Sequence, residues 1–117
     1  MSDDVQALVD RSGCPLGTRV NPAVTQKLHR LAAMLLADAL GDPLDFLERP
    51  ASYVRVFYWS GGQQVWLFWL AIDVVFHRVH LQVAGHRTQV LEPLTEPRHR
   101  LARKVDLFLQ EVGAERL

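Results

Sequence analysis

The fold of this chain is decided by residues 53–83, which read YVRVFYWSGGQQVWLFWLAIDVVFHRVHLQV. The stretch is rich in β-branched and aromatic residues, which favour strands. Gly61-Gly62 divides it as a hairpin turn and ends a first strand over 52–60. This block therefore predicts the antiparallel sheet around which the rest of the chain folds.

Residues 64–84 admit two interpretations. Their Val, Ile, Phe and Trp content, and the alternation of apolar with polar residues in their second half, favour two strands with a turn near Asp73. As a helix they would form one buried rod rising about 1.5 Å per residue. We adopt the strand interpretation, in which Gly85-His86 forms a tight turn into a short strand over 87–91.

A helix is predicted over 22–40, before this block. Asn21 is a good N-cap, Pro22 suits the first helical position, and Gly41 suits the position after the last one. Apolar residues recur between these ends at spacings of three and four, which gives the helix one apolar face. We expect that face to pack against the sheet.

Two further helical elements are predicted from similar signals. Asp42-Pro43 repeats the combination of cap and proline, and it predicts one helical turn over 44–48. After the sheet, Thr95 is expected to cap a last helix over 96–112, whose apolar residues also lie on one face.

Together these elements predict an α+β fold of two layers. The order is helix, three or four antiparallel strands, helix, with both helices on one face of the sheet. A length of 117 residues, with 49% hydrophobic and 22% charged residues, is typical of one globular domain spanning 1–117. Within it, residues 1–20 are expected to be loosely ordered, apart from a short helix over 3–10.

The charge balance and the cysteine content exclude some classes of partner and of binding site. Thirteen basic and thirteen acidic residues balance, which removes the simplest argument for an anionic partner. The single cysteine, Cys14, excludes an intrachain disulfide framework and a cysteine-based zinc site. The acidic N-terminus has no apolar signal segment, so a cytoplasmic protein without membrane contact is expected. No cofactor-binding or catalytic motif is present, so we expect no cofactor and favour a non-enzyme.

Asp73, His77 and His80 are weak candidates for metal ligands. On a helix their spacing would place all three on one face, as a metal site requires. On strands, His77 and His80 point to opposite faces, because their spacing is odd. A small metal-dependent enzyme is therefore the third functional hypothesis, and it depends on the helical interpretation of this segment.

The predicted last helix begins with a group of cations. They are Arg98, Arg100, Arg103 and Lys104. The helix dipole disfavours cations in the first turns, so their placement suggests a function. The second hypothesis is a nucleic-acid-binding or other anion-binding surface on this helix. The alternative is an ordinary solvated face, partly neutralised by Glu96 and Glu111.

The first hypothesis, binding to another protein, rests on the aromatic side chains of the predicted strands. The predicted strands place apolar residues on both faces of the sheet, more than one layer of two helices covers, and monomers rarely leave large apolar patches exposed. We therefore expect a protein partner, first of all a second copy of this chain, at Tyr53, Phe57, Trp59, Trp66 and Trp69. The alternatives are a core that is entirely internal, or cover by the segment before Asn21. The function predicted is a non-enzymatic protein-interaction module, of the adaptor, chaperone, inhibitor or immunity type.

Overall fold

Within residues 21–51 and 53–115, which the structure describes, five antiparallel strands form one sheet, and in the sequence one helix precedes these strands and one follows them. The structure is a computed structural model. In chain order, the elements are α1 (Pro22–Leu40), β1 (Asp45–Ala51), β2 (Val54–Gly61), β3 (Gln64–Asp73), β4 (Arg78–Gln82), β5 (Gln89–Leu91) and α2 (Arg98–Val112). Strands adjacent in the chain are adjacent in the sheet, and the predicted α+β fold is confirmed. Cys14, the helix over 3–10 and the loose order expected of 1–20 lie outside the described residues.

α1 has both of the ends that the sequence predicts. Its N-cap Asn21 accepts a hydrogen bond at Oδ1 from the backbone N–H of Ala23, 3.0 Å away. Gly41 follows the last turn with a φ of 75°, a left-handed conformation that glycine adopts at little cost, and its N–H donates to the carbonyl of Ala37. Local interactions therefore define where this helix begins and ends.

Replacing Asn21 by alanine is expected to lower the free energy of unfolding by about 1 kcal/mol, because the N–H of Ala23 loses its acceptor. Asn21→Asp keeps a side-chain oxygen in the same position and should cost much less. Urea unfolding followed by circular dichroism measures both changes. Equal losses in the two variants would contradict the capping role.

Residues 64–84 form two strands, and the helical alternative for them is wrong. β2 and β3 pair along their whole length and meet at a hairpin turn at Gly62. β3 and β4 pair around a turn over residues 74–77, directly after Asp73. A segment with apolar residues on both faces suits a strand that is buried on both sides.

The predictions for residues 44–48 and for the number of strands are wrong. β1 occupies this part of the chain, and the sheet has five strands rather than three or four. β1 pairs with the outer edge of β2, where Phe46 lies opposite Phe57, although its register shifts twice. This pairing joins two strands that follow each other in the chain, with Ala51 opposite Val54 and Asp45 opposite Tyr58. It outweighs the local cap signal of Asp42-Pro43, since tertiary context commonly overrides propensity.

α2 begins at Arg98 rather than at Glu96, and Thr95 does not cap it. Thr95 instead donates its hydroxyl to the carbonyl oxygen of Glu92, 3.4 Å away, in the preceding turn. Glu96 precedes Pro97, and a proline ring disfavours helical backbone at the residue before it. Pro97 therefore stands at the N-cap position, without a side-chain hydrogen bond.

Both helices pack on the same face of the sheet, which we call the helix face. Strand residues such as Phe57, Phe68 and Leu81 bury their side chains there, in one core with Leu36 of α1 and Phe108 of α2. The opposite face, which we call the far face, carries a second buried cluster, formed by Val54, Val56, Trp69 and Ala71. In the part of the chain that the structure describes, neither helix is long and apolar enough to cross a membrane.

Candidate functional site

A groove of about 650 Å³ opens at the end of the sheet where β3 turns into β4. α1 forms one side of it, and the β3–β4 turn and the loop between β5 and α2 form the other. Among the described residues, its apolar lining consists of Val24, Leu28, Leu31, Met34, Pro93 and Leu94. Because these segments are distant in the sequence, the groove exists only in the folded chain.

α1 lines the groove because its apolar stripe is wider than the part that the sheet covers. Leu28 and Leu35 are buried at the centre of the stripe. Val24 and Leu31 are half-buried along its edge, and Met34 is 38% exposed. The edge of the stripe therefore faces the groove, while its centre packs in the core.

The β3–β4 turn brings His77 to the groove and exposes two apolar side chains. Asp73 Oδ1 accepts hydrogen bonds from the backbone N–H groups of Val75, at 3.0 Å, and Phe76, at 3.1 Å. His77 completes the turn with a φ of 55°, which is uncommon for residues other than glycine, and lines the groove. As a result Val75 and Phe76 are 54% and 65% exposed.

Replacing Asp73 by alanine is expected to destabilise the chain by about 1 to 2 kcal/mol, because two backbone N–H groups lose their acceptor. Asp73→Asn keeps an oxygen that accepts the same hydrogen bonds, so it should retain most of the stability. Thermal unfolding of the three chains gives the comparison. If asparagine cost as much as alanine, hydrogen bonding would not be what this side chain supplies.

Two ion pairs hold the loop between β5 and α2. Arg78 Nε lies 3.2 Å from Glu92 Oε1, and Lys104 pairs with Glu96. Between these anchors, Leu94 is 71% exposed where it lines the groove. Together with Met34, which is 38% exposed, it gives the groove an exposed apolar lining, and such surface marks interaction sites.

The lining of the groove is positively charged. Lys27 and Arg30 are the cations among its described lining residues, and no carboxylate is among them. Arg98 lies at the edge, where its Nη2 is 3.7 Å from Met34 Sδ and 3.9 Å from Asp38 Oδ2. Both side chains of this ion pair are mostly exposed, so the pair is weak. The groove therefore favours an apolar ligand that carries negative charge.

The structure separates the three weak metal candidates. The Asp73 carboxylate accepts hydrogen bonds within its turn, His77 lines the groove, and His80 lies in β4 opposite Ala71. Among the side chains that the structure describes, no three from His, Cys, Asp or Glu converge as a metal site requires. Asp73 therefore has a structural role that explains it without a metal.

The cations of α2 do not act as one group. Lys104 pairs with Glu96, and Arg98 lies near the groove. Arg100 and Arg103 are exposed, and neither has an ion pair among the described residues. If these two arginines each neutralised one phosphate of DNA, the logarithm of the binding constant would fall with the logarithm of the salt concentration with a slope of about −1.8. So shallow a slope is typical of weak binding. Nucleic-acid binding by this helix stays a prediction.

The aromatic residues predicted for a partner surface do not share one exposed face. Phe57 and Trp59 are 8% and 6% exposed on the helix face, where Trp59 Nε1 donates to Asp42 Oδ2 at 3.3 Å. Tyr53 and Trp66 are half-buried. Trp69, the last of the five aromatic residues, lies on the far face and is 2% exposed. A partner would reach the three buried rings only if the parts of the chain that cover them moved, so binding there stays a prediction.

Sequence reasoning missed the groove. The spacing of Val24 and Leu31 shows that the stripe of α1 is wide, and Leu94 is an isolated apolar residue beside a proline. Neither signal indicates that these residues meet, because that depends on how three connections are placed around the sheet. Comparison with protein-family models, with curated proteins and with solved structures finds no match to this chain.

Proposed function

We propose that this chain is a small non-enzymatic, cytoplasmic protein-interaction module, and that its groove binds an amphipathic, acidic segment of a partner protein. One observation carries the proposal. The described lining combines six apolar residues with Lys27 and Arg30 and contains no carboxylate. Such a surface is complementary to a segment whose apolar side chains enter the groove while its carboxylates meet the cations.

The exposure of the groove's surroundings favours a protein segment over a small ligand. Small-molecule sites bury about 70–90% of their ligand. Here Leu94, which lines the groove, is 71% exposed, so it offers contact area to a ligand that extends beyond the groove. A helix lying in an apolar groove is a recurrent mode of recognition and provides such contacts.

Charge decides which segments bind. Lys27 and Arg30 lie one turn apart on α1, so a segment lying along this helix meets both cations. Complementary charge speeds association and excludes partners of the wrong sign. A basic segment with the same apolar residues is therefore expected to be rejected.

The described lining of the groove contains none of the aromatic residues that the sequence singles out. Phe57, Trp59 and Trp69 are already buried within one chain, whereas Met34 and Leu94, which line the groove, are exposed. Binding in the groove needs no rearrangement of the core, and most complexes form with little movement of the backbone.

The experiment is a selection of phage-displayed random peptides against the full chain, with the Leu94→Glu variant as the counter-selection target. Leu94 is 71% exposed, so this change removes an apolar contact without disturbing the core. The selected peptides are expected to carry apolar residues at helical spacing and an excess of Asp and Glu. Peptides without acidic bias, or peptides that bind the variant equally well, would overturn the proposal.

Fluorescence anisotropy with one selected peptide gives the size of the effect. Leu94→Ala is expected to raise the Kd by about tenfold, as for an interface residue worth between 1 and 2 kcal/mol. Lys27→Glu/Arg30→Glu should weaken binding strongly at low salt and less at high salt. The matched control is Leu107→Ala on α2, which is 49% exposed outside the groove lining and should leave the Kd unchanged.

The nucleic-acid hypothesis gives the opposite result. If no peptide is enriched, and the chain binds DNA in a manner abolished by Arg100→Glu/Arg103→Glu, the basic face of α2 is the functional surface. That outcome would contradict the role proposed for the groove.

A further inference from the structure

A second pocket, of about 320 Å³, lies where the β2–β3 hairpin meets the residues that follow α2, at the end of β3 opposite the β3–β4 turn. Its described lining includes Trp59, Gly61, Trp66, Gly113 and Glu115, and we call it the hairpin pocket. It shares no described lining residue with the groove. Small-molecule sites begin at about 300 Å³, so the hairpin pocket has room for a small ligand.

Two tryptophans provide the aromatic part of the hairpin pocket. Trp59 and Trp66 lie directly opposite each other on β2 and β3, so their side chains leave the same face of the sheet. A Cβ at Gly61 would overlap the ring of Trp59, and a Cβ at Gly113 would lie 3.9 Å from the ring of Trp66. The hairpin and the end of α2 therefore each bring a glycine close to one of the rings.

The two rings differ in mobility and in access. Trp59 is 6% exposed, and its Nε1 donates a hydrogen bond to Asp42, so it forms a fixed floor. Trp66 is half-buried, so part of its side chain remains accessible to a ligand. Because both rings are held in the folded chain, a ligand that contacts them loses little free energy in ordering the site.

The charges around the hairpin pocket are negative. Glu115 is exposed and is the one ionisable residue in the described lining. Gly113 directly follows α2, whose carbonyl end carries the partial negative charge of the helix dipole. The last turn of this helix has no basic residue. A cation in the pocket therefore gains from the carboxylate and from the helix end, whereas an anion is repelled by both.

The aromatic lining determines which cations suit the pocket. Tryptophan is the side chain that attracts a cation most strongly through its ring, and aromatic rings are the usual partners of quaternary ammonium groups. Inorganic divalent cations instead need several oxygen ligands. Among the side chains that the structure describes, no three from His, Cys, Asp or Glu converge to supply them.

We propose that the hairpin pocket binds a methylated ammonium group, with Trp66 as its cation–π partner and Glu115 as its counter-charge. The ring attraction, the carboxylate and the helix end all favour the same sign of charge. This site is distinct from the groove, whose cations favour a ligand of the opposite charge. A methylated ammonium group occurs in free choline and in trimethylated lysine, and both carry the chemistry that the pocket recognises.

The test is an NMR titration of the full isotope-labelled chain with choline and, separately, with a short peptide that contains trimethyllysine. The indole N–H signal of Trp66 is expected to shift along a saturating curve with a Kd of about 1 mM or below for the probe that fits. The signal of Trp69, which is buried on the far face, should stay in place. Saturation by the peptide alone identifies a protein side chain as the source, and saturation by choline identifies a free small molecule.

Two variants test the assigned roles with the probe that binds. Trp66→Leu keeps an apolar side chain without a ring and is expected to raise the Kd by about tenfold. Glu115→Gln keeps the shape of an exposed side chain, so the chain stays folded, and it should raise the Kd by about two- to fivefold at low salt and less at high salt. The matched control is Asp106→Asn, the same loss of charge at an exposed position of α2 outside the described lining, which should leave the Kd unchanged.

Three results would overturn the proposal. The first is that neither probe shifts the Trp66 signal at about ten times the expected Kd. The second is equal binding of the neutral carbon analogue of choline, in which a tert-butyl group replaces the trimethylammonium group, because the pocket would then recognise apolar shape alone. The third is an equal loss in Glu115→Gln and Asp106→Asn. The groove variant Leu94→Glu should bind the probe normally, so this test does not depend on peptide binding in the groove.

Discussion

Replacing Phe68 by alanine is expected to lower the free energy of unfolding by about 3 to 5 kcal/mol, a large part of the stability of a domain of this size. Phe68 is 0% exposed in the middle of β3, within the core that the sheet shares with both helices. Its removal leaves a cavity that closes only if strands and helices shift together, because the interior is closely packed. Urea unfolding measures the change.

The matched control is Phe76→Ala, the same chemical change at a side chain that is 65% exposed. It should alter the free energy of unfolding by no more than about 0.5 kcal/mol, since it opens no cavity. Comparable losses in the two variants would contradict the arrangement of the core.

Replacing Gly61 by alanine is expected to destabilise the chain by about 1 to 3 kcal/mol, as other overpacked sites do. A Cβ at this position would overlap the ring of Trp59. That ring is 6% exposed and is held by its hydrogen bond to Asp42, so it moves aside only by losing burial and that bond. The end of the β2–β3 hairpin therefore requires glycine for space.

A double-mutant cycle checks the cause. In a Trp59→Leu background the overlapping ring is gone, so Gly61→Ala should cost much less than in the natural chain. Ser60→Ala, at the exposed neighbouring position, serves as the control and should change stability little. If the losses in stability from Gly61→Ala and Trp59→Leu simply added up in the double variant, contact with Trp59 would not explain why residue 61 is glycine.

Local signals predicted most of the fold. The ends of α1 follow from Asn21 and Gly41, which act through hydrogen bonds within a few residues. The division of residues 64–84 follows from Asp73, whose carboxylate forms the turn through its own neighbours. The sequence pattern predicted apolar residues on both faces of these strands, and the structure has a buried cluster on each face.

Features that depend on contacts between different segments of the chain were not predictable in this way. β1 forms because the edge of β2 offers backbone partners, while Asp42-Pro43 indicates a helix start. The groove depends on where Met34, His77 and Leu94 meet, and each residue is unremarkable in its own segment. Periodicity gives the face on which a side chain lies, but it does not give what covers that face.

The outermost strands are poor templates for further pairing. β1 shifts register on either side of Glu48 and contains Pro50, which has no N–H to donate. β5 has three residues. A strand from another molecule would therefore find few consecutive backbone groups to bond at either edge, and this is how natural sheets avoid aggregation. We expect the chain to resist fibril growth at high concentration, even though its sheet is unusually rich in tryptophan.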